Sequence, residues 1–372
     1  MKRTTRLVCL LAALVAHNSR GVFAAQKGEP SPTAVAPATD SPTAINQPLA
    51  EKVHRVLDSY CARRINTKYE NPWSVLHWSI AYGIDAEVVA AELDGQSVSA
   101  IGWLCYNRPA AGQRLMTHDG QSLRLPIAPG LQGHQGQFLA MLAQSRVKPD
   151  YEIHVGSHTL SVADLVDYEQ RTCRSDLELT FKLIGLAYYS NSEESWQNSA
   201  GQTWSVRRLL DEELSEPINR NRCPCGGTHR LFALSYAVER RRSEGLPIDG
   251  PWQIAHRRAQ SYQQRAFQLQ NGDGSFSTLW LDARENRNDK TRKLTTSGHI
   301  LEWLACSLPE SQLHDPSFER AVEYVANLLD QNQNVRWHRG ALGHALHALA
   351  IYDERVLDAK SGQRRERLAL AD

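Results

Sequence analysis

The chain has 372 residues, 41% of them hydrophobic, which is enough to bury a large core. Its 42 basic and 41 acidic residues nearly cancel, and the basic runs Arg240–Arg242 and Arg364–Arg365 are short and lie beside acids. With no long basic stripe, nucleic-acid binding has no electrostatic support.

The N-terminus carries Lys2, Arg3 and Arg6, then an apolar stretch from Leu7 to Ala16, then the small-residue site Val22-Phe23-Ala24. This is the pattern of a secretory signal peptide (residues 1–24) cleaved after Ala24. Residues 25–48 are rich in Pro, Ala, Ser and Thr and repeat Ser-Pro-Thr-Ala from Ser31 and from Ser41. They are expected to form a disordered spacer. No later stretch is long and apolar enough for a membrane helix, so the mature chain is expected to be soluble outside the cytoplasm, secreted or periplasmic. Residues 359–372 read as a charged tail.

Residues 49–358 read as an all-α domain, with Tyr151–Leu160 the best candidate for a short hairpin. The helical segments repeat. Gly133-His134, Thr228-His229, Gly298-His299 and Gly343-His344 each open a run with Leu five residues after the His and a small residue next: Ala140, Ser235, Ala305, Ala350. Leu177-Glu178 is a variant with Glu in the His position, and Ser74–Ile80 keeps His77 without the Leu. The six anchors His77, His134, Glu178, His229, His299 and His344 lie 44 to 70 residues apart, room for two helices each. Gly or Thr just before an anchor suits a helix N-terminus.

Gln270-Asn-Gly-Asp-Gly-Ser-Phe276 resembles the Gln-x-x-Asp-Gly-Ser-Phe/Trp repeat of the terpenoid cyclase and protein prenyltransferase α/α-toroids. Gln331–Trp337 looks like a degraded second copy. The resemblance implies an (α/α)6 toroid of about six helical hairpins, whose inner helices would bring the six anchors to one mouth of a central cavity. It does not imply the activities: the prenyltransferase Asp-x-Cys, the lanthionine-cyclase Cys-His-Gly and the cyclase Asp-x-Asp-Asp elements are all missing from the sequence.

In such a ring, imidazoles near helix N-termini are biased to the neutral form, fit for general-base, metal-ligand or sugar-binding duty. The leading expectation is acid–base cleavage (lyase or hydrolase) of an extracytoplasmic polysaccharide. His229 and His299 would be acid and base, with Glu302 and Glu178 as carboxylate partners. His134, His344, His77, Trp303 and Asp273 would bind substrate; Asp273 also suits a turn. The main rival is a non-catalytic toroid binding a glycan, peptide or partner protein.

Six cysteines follow the signal: Cys61, Cys105, Cys173, Cys223, Cys225 and Cys306. In Cys223-Pro-Cys225-Gly-Gly-Thr-His229, two thiolates and an imidazole supply three zinc ligands with a fourth position open. The spacings His299/Glu302 and His344/His347 also give facing pairs that hold a metal in some helical cores. Against zinc stands a disulfide. Cys173 and Cys225 precede successive anchors by five and four residues, which places their loops side by side, and an oxidising compartment favours that pair. Cys306 reads as a buried free thiol.

Overall fold

The computed structural model describes residues 45–219, 223–360 and 362–364. The expected signal peptide, most of the spacer and most of the tail lie outside these residues. The first helix starts at Gln47, two residues before the expected domain edge, where the Asn46 side chain accepts from the backbone N–H of Leu49.

Twelve α-helices occur among the described residues: α1 (Gln47–Cys61), α2 (Pro72–Tyr82), α3 (Ala100–Cys105), α4 (Gln137–Gln144), α5 (Val162–Arg171), α6 (Thr180–Tyr189), α7 (Val206–Ser215), α8 (Thr228–Ser243), α9 (Gly250–Gln268), α10 (Lys290–Ser307), α11 (Pro316–Asp330) and α12 (Arg339–Val356). The even-numbered helices contact one another in sequence, α2 on α4, α4 on α6, α6 on α8, α8 on α10 and α10 on α12, and α12 packs back on α2. These helices are buried on all sides over part of their length: α6 buries every residue from Thr180 to Ala187, and α10 buries Leu294 and Thr296–Ala305. Apart from the short α3, the odd-numbered helices bury one face only. In α11 that face is Phe318, Ala321, Val322, Val325, Ala326, Leu328 and Leu329.

Strands are short. The expected hairpin at 151–160 is present as β6 (Glu152–Val155) with β7 (His158–Ser161). Other strands were not anticipated from the sequence: β1 (Ile65–Asn66) lies parallel to β2 (Glu87–Ala90), which pairs with β3 (Gln96–Ser99); β4 (Thr117–His118) pairs with β5 (Leu123–Arg124), and β8 (Ser195–Gln197) with β9 (Thr203–Ser205). The hairpins β2–β3, β6–β7 and β8–β9 are counterparts of one another. Each of these three ends on a serine that caps the next helix. Ser99, Ser161 and Ser205 accept from the backbone N–H groups of Gly102, Asp164 and Arg208. The chain is therefore mostly helical, with small β-hairpins leading into α3, α5 and α7.

Two of the glycines before the anchors act differently from the expected helix start. Gly298 and Gly343 lie inside α10 and α12. A Cβ on Gly343 would sit 2.5 Å from the carbonyl oxygen of His77, and one on Gly298 would sit 3.0 Å from the Cα of Ala345. They let inner backbones touch. The helix-start reading holds at α8, where Gly227 caps at φ +86°.

The first and last described segments meet. Lys52 pairs with Glu323, Arg55 with Asp330 and His54 with Asp353, while Arg364 pairs with Asp58 and Asp353. Gly362 N–H donates to Asp85.

Replacing Gly343 with Ala tests the close approach. Helix propensity alone would add about 1 kcal/mol. The collision with His77 should instead cost a net ~1–3 kcal/mol in denaturant unfolding. Gly272→Ala, which meets nothing within 4 Å, should change stability by less than about 0.5 kcal/mol. Equal effects at the two positions would refute the packing role.

Candidate metal and histidine centre

Cys223 to Gly227 form a tight turn before α8, with three successive residues in the left-handed region: Cys225 at φ +49°, Gly226 at +66° and Gly227 at +86°. The non-glycine residue there costs roughly 1–2 kcal/mol in backbone strain. Thr228 Oγ1 donates to the Cys225 carbonyl and helps hold the turn. The strain places the Cys225 thiol against α8 and α10. Its Sγ and one ring nitrogen each of His229 and His299 all lie within 4.8 Å of one another.

Each of the three has a distinct environment. His299 Nδ1 lies 2.7 Å from the Thr295 carbonyl, one turn back on α10. A carbonyl only accepts, so Nδ1 carries the proton and Nε2 is left with its lone pair. His229 is buried, and neither of its ring nitrogens has a hydrogen-bond partner. Two orphaned buried nitrogens on one imidazole are costly. Burial, then the neighbouring His344, holds both imidazoles well below their ordinary pKa, in the lone-pair-bearing form. Burial pushes the Cys225 thiol up to about 12; a bound cation reverses that preference by taking the thiolate.

The other anchors surround this trio. His344 lies 3.9 Å from His299 and 5.2 Å from His229 between ring centroids, and His77 lies 5.5 Å beyond His344. Glu302 takes an imidazole on each oxygen, His344 Nδ1 at 2.7 Å and His347 Nδ1 at 2.6 Å. Burial opposes its ionisation, yet the two histidines hold its carboxyl well below the usual carboxylate range. His134 lies 5.4 Å from His229, and its Nδ1 is 2.7 Å from Glu178. This pair keeps side-chain exposures of 17% and 29%, against 7% for His344, so it is the part of the cluster open to solvent.

The structure thus brings together His77, His134, Glu178, His229, His299, Glu302 and His344. It places Trp303 and Asp273 elsewhere. Trp303 is fully buried, with its indole N–H on Ser235. Asp273 accepts from Ser275 and pairs with Lys293, which fixes the turn between α9 and α10. Gly274 in that turn lies so close to the Arg320 carbonyl that a Cβ would come within 2.4 Å.

Two cysteine expectations are corrected. Cys223 does not join Cys225 and His229. Its Sγ lies 3.2 Å from the Pro217 carbonyl and accepts from Arg230, which Glu213 holds in turn; His299 stands where Cys223 was expected. The Cys173–Cys225 disulfide is not formed. All six cysteines are free thiols, and Cys173 is turned into the α5–α6 seam, 3.3 Å from the Glu169 carbonyl. Cys306, expected as a buried free thiol, is a free thiol but only half-buried.

Two residues absent from the sequence reading complete the centre. Phe181 stacks on His134 at 4.6 Å and meets His229 at 5.1 Å. Trp280 is buried and stands edge-on to His299 at 5.6 Å. Its φ of +61° is unusual for so bulky a residue. It fits because Gly226 lacks a Cβ, which would lie 2.3 Å from the indole. No local sequence signal marks a left-handed Trp.

Comparison of the chain with protein-family models, curated proteins and solved structures finds no match.

His77 makes the centre acid-sensitive. Burial, then the charge of His344, pushes its pKa down to about 3. The unfolded chain protonates the same ring near pH 6.5, roughly the free value. Stability present above that pH is therefore lost as the pH falls. In chelator, His77→Gln should flatten the fall in unfolding free energy between about pH 6 and pH 4 by roughly 1.4 kcal/mol per pH unit. An unchanged slope in urea titrations would contradict this.

Proposed function

We propose that the chain is an exported (α/α)6 toroid that holds a zinc ion on Cys225, His229 and His299 and uses it for metal-assisted hydrolysis. The cycle of contacts through α2, α4, α6, α8, α10 and α12 supports the toroid, and the charge pattern of residues 1–24 supports export. The observation that carries the metal is His229: a buried imidazole with both nitrogens unpartnered beside a thiol and a second imidazole whose tautomer is fixed by Thr295.

One thiolate and two imidazoles suit zinc, and three protein ligands are the number found in catalytic rather than structural sites. Bound there, zinc would supply Lewis acidity. The chain's own residues do the rest. Thr295 orients His299. Trp280 and Phe181 exclude water. His134, partly exposed and paired with Glu178, is placed to carry a proton to or from the reacting group, with Glu178 stabilising the imidazolium. A second reading, metal-free acid–base cleavage of a polysaccharide, is favoured by one feature: His134 and Glu178 are the solvent-open members of the cluster.

Metal analysis of chelator-free protein tests the centre. About one zinc per chain is expected. Cys225→Ser and His229→Ala should each lower this below about one tenth, as loss of a ligand does in three-ligand sites. Cys223→Ser should keep it. Cobalt(II) should quench Trp280 emission and show a thiolate charge-transfer band. Zinc retained equally in all three variants, or none in any preparation, would sink the proposal.

His134→Gln should keep the metal and lower kcat by about 100-fold or more in whichever hydrolytic assay the wild type supports. Unchanged kcat would remove His134 from the chemistry.

A further inference from the structure

A cavity opens at the C-terminal ends of the even-numbered helices α4–α12. It has a volume of about 900 Å³ and is lined from the C-terminal parts of α4, α6, α8, α10 and α12, together with one face of α9. That size suits a small organic ligand. A separate narrow cavity, lined by His229, Glu302 and His344, shares Gln144 and Phe232 with it as wall residues. Inward from this mouth, the route along α8 runs past Phe232 towards His229.

The residues along the route fall in register on α8. His229, Phe232, Tyr236 and Arg240 are spaced by three, four and four positions, one stripe of the helix. At 1.5 Å per residue the stripe is about 16 Å long. Phe232 and Tyr236 present nearly parallel rings, 15° apart, along its middle.

Arg240 marks the outer end. Five helix C-termini converge on this mouth with partial negative charge, and most of the arginines there are committed to neutralising it or to carboxylates. Arg355 bonds to the carbonyls of Ala305, Cys306 and Leu308; Arg146 pairs with Glu354 and Arg242 with Glu239. Of the four arginines that line this mouth, only Arg240 has neither a carboxylate nor a carbonyl partner. Its guanidinium lies 4.9 Å over the Tyr188 ring, and its Nε is buried without a partner. Two unsatisfied polar groups, Arg240 and His229, thus stand at opposite ends of an aromatic wall.

We propose that this chamber binds an elongated carboxylate with a flat apolar body, its carboxylate on Arg240 and its rings along Tyr236 and Phe232. The inference goes beyond the metal-centre reading, and the chamber does not need the metal. Guanidinium recognises a carboxylate through paired charge-assisted hydrogen bonds, which gives selectivity for an acid over its amide.

The test uses the full chain and two fluorescent probes of the same body, dansylglycine with a carboxylate and dansylamide without one. Saturable binding of dansylglycine is expected. Arg240→Gln should weaken it by about 10-fold or more, as loss of a charge-assisted pair does. Arg242→Gln, whose partner is Glu239, should change it less than about 2-fold, and dansylamide should bind wild type and Arg240→Gln alike. Zinc is measured in every sample. Equal weakening by Arg240→Gln and Arg242→Gln, or no saturable dansylglycine binding by a chain that holds zinc, overturns the chamber and leaves the metal centre standing. Arg240-dependent binding by a chain that holds no metal supports the chamber and overturns the metal centre.

Discussion

The backbone of α12 lies against the His77 carbonyl with no room for a side chain at Gly343, and that closeness decides what the middle of the molecule holds. Helices that approach so tightly cannot fill the space between them with long apolar side chains. What fits is a set of flat rings seen edge-on or tilted: His77, His344, His299 and His229 in succession, each within 5.5 Å of the next. Imidazole is compact enough to pack there, and its nitrogens then require partners that backbone packing does not supply. Glu302, Thr295 and Trp73 meet that need for three of the rings, and His229 is left without. The chemistry of the centre follows from a packing constraint.

That constraint was partly legible in the sequence. The recurrence of His before a Leu and a small residue marked the even-numbered helices, and the resemblance to the α/α-toroids implied that the six anchors would gather at one mouth. It was legible because it is periodic and because small residues at fixed offsets betray close helices. The glycines were read as helix starts, which is true at Gly227. At Gly298 and Gly343 the need for space lies across the helix interface, and sequence neighbours carry no sign of it. A second repeat went unread although it is written in the chain: Ser99-Ala100, Ser161-Val162 and Ser205-Val206 each open a helix after a short hairpin. Strands of three or four residues are too short to show alternation.

The cysteines show the sharper limit. Cys223 and Cys225 are two positions apart, and spacing alone made them a pair. A left-handed residue between turn and helix sends one thiol into the seam of α6, α7 and α8 and the other into the centre. Backbone handedness is a tertiary outcome here, since Cys225 has no intrinsic preference for φ +49°. His299 could not be joined to Cys225 by any local pattern, because more than seventy residues separate them. The same holds for Trp280, whose strained backbone is tolerated through the missing side chain of Gly226.

The ion pairs that bind α1 to α11 and to residue 364 make the first and last hairpins neighbours. An open stack of repeats can lose a terminal unit and keep the rest, because each unit leans on the one before it. Here neither end is terminal in that sense. Fraying at α1 uncovers α11 and α12, and with them the helix that carries His344. The molecule should therefore lose its order as one unit instead of peeling from an end. A cut within α1 reaches the centre as directly as a cut in the middle.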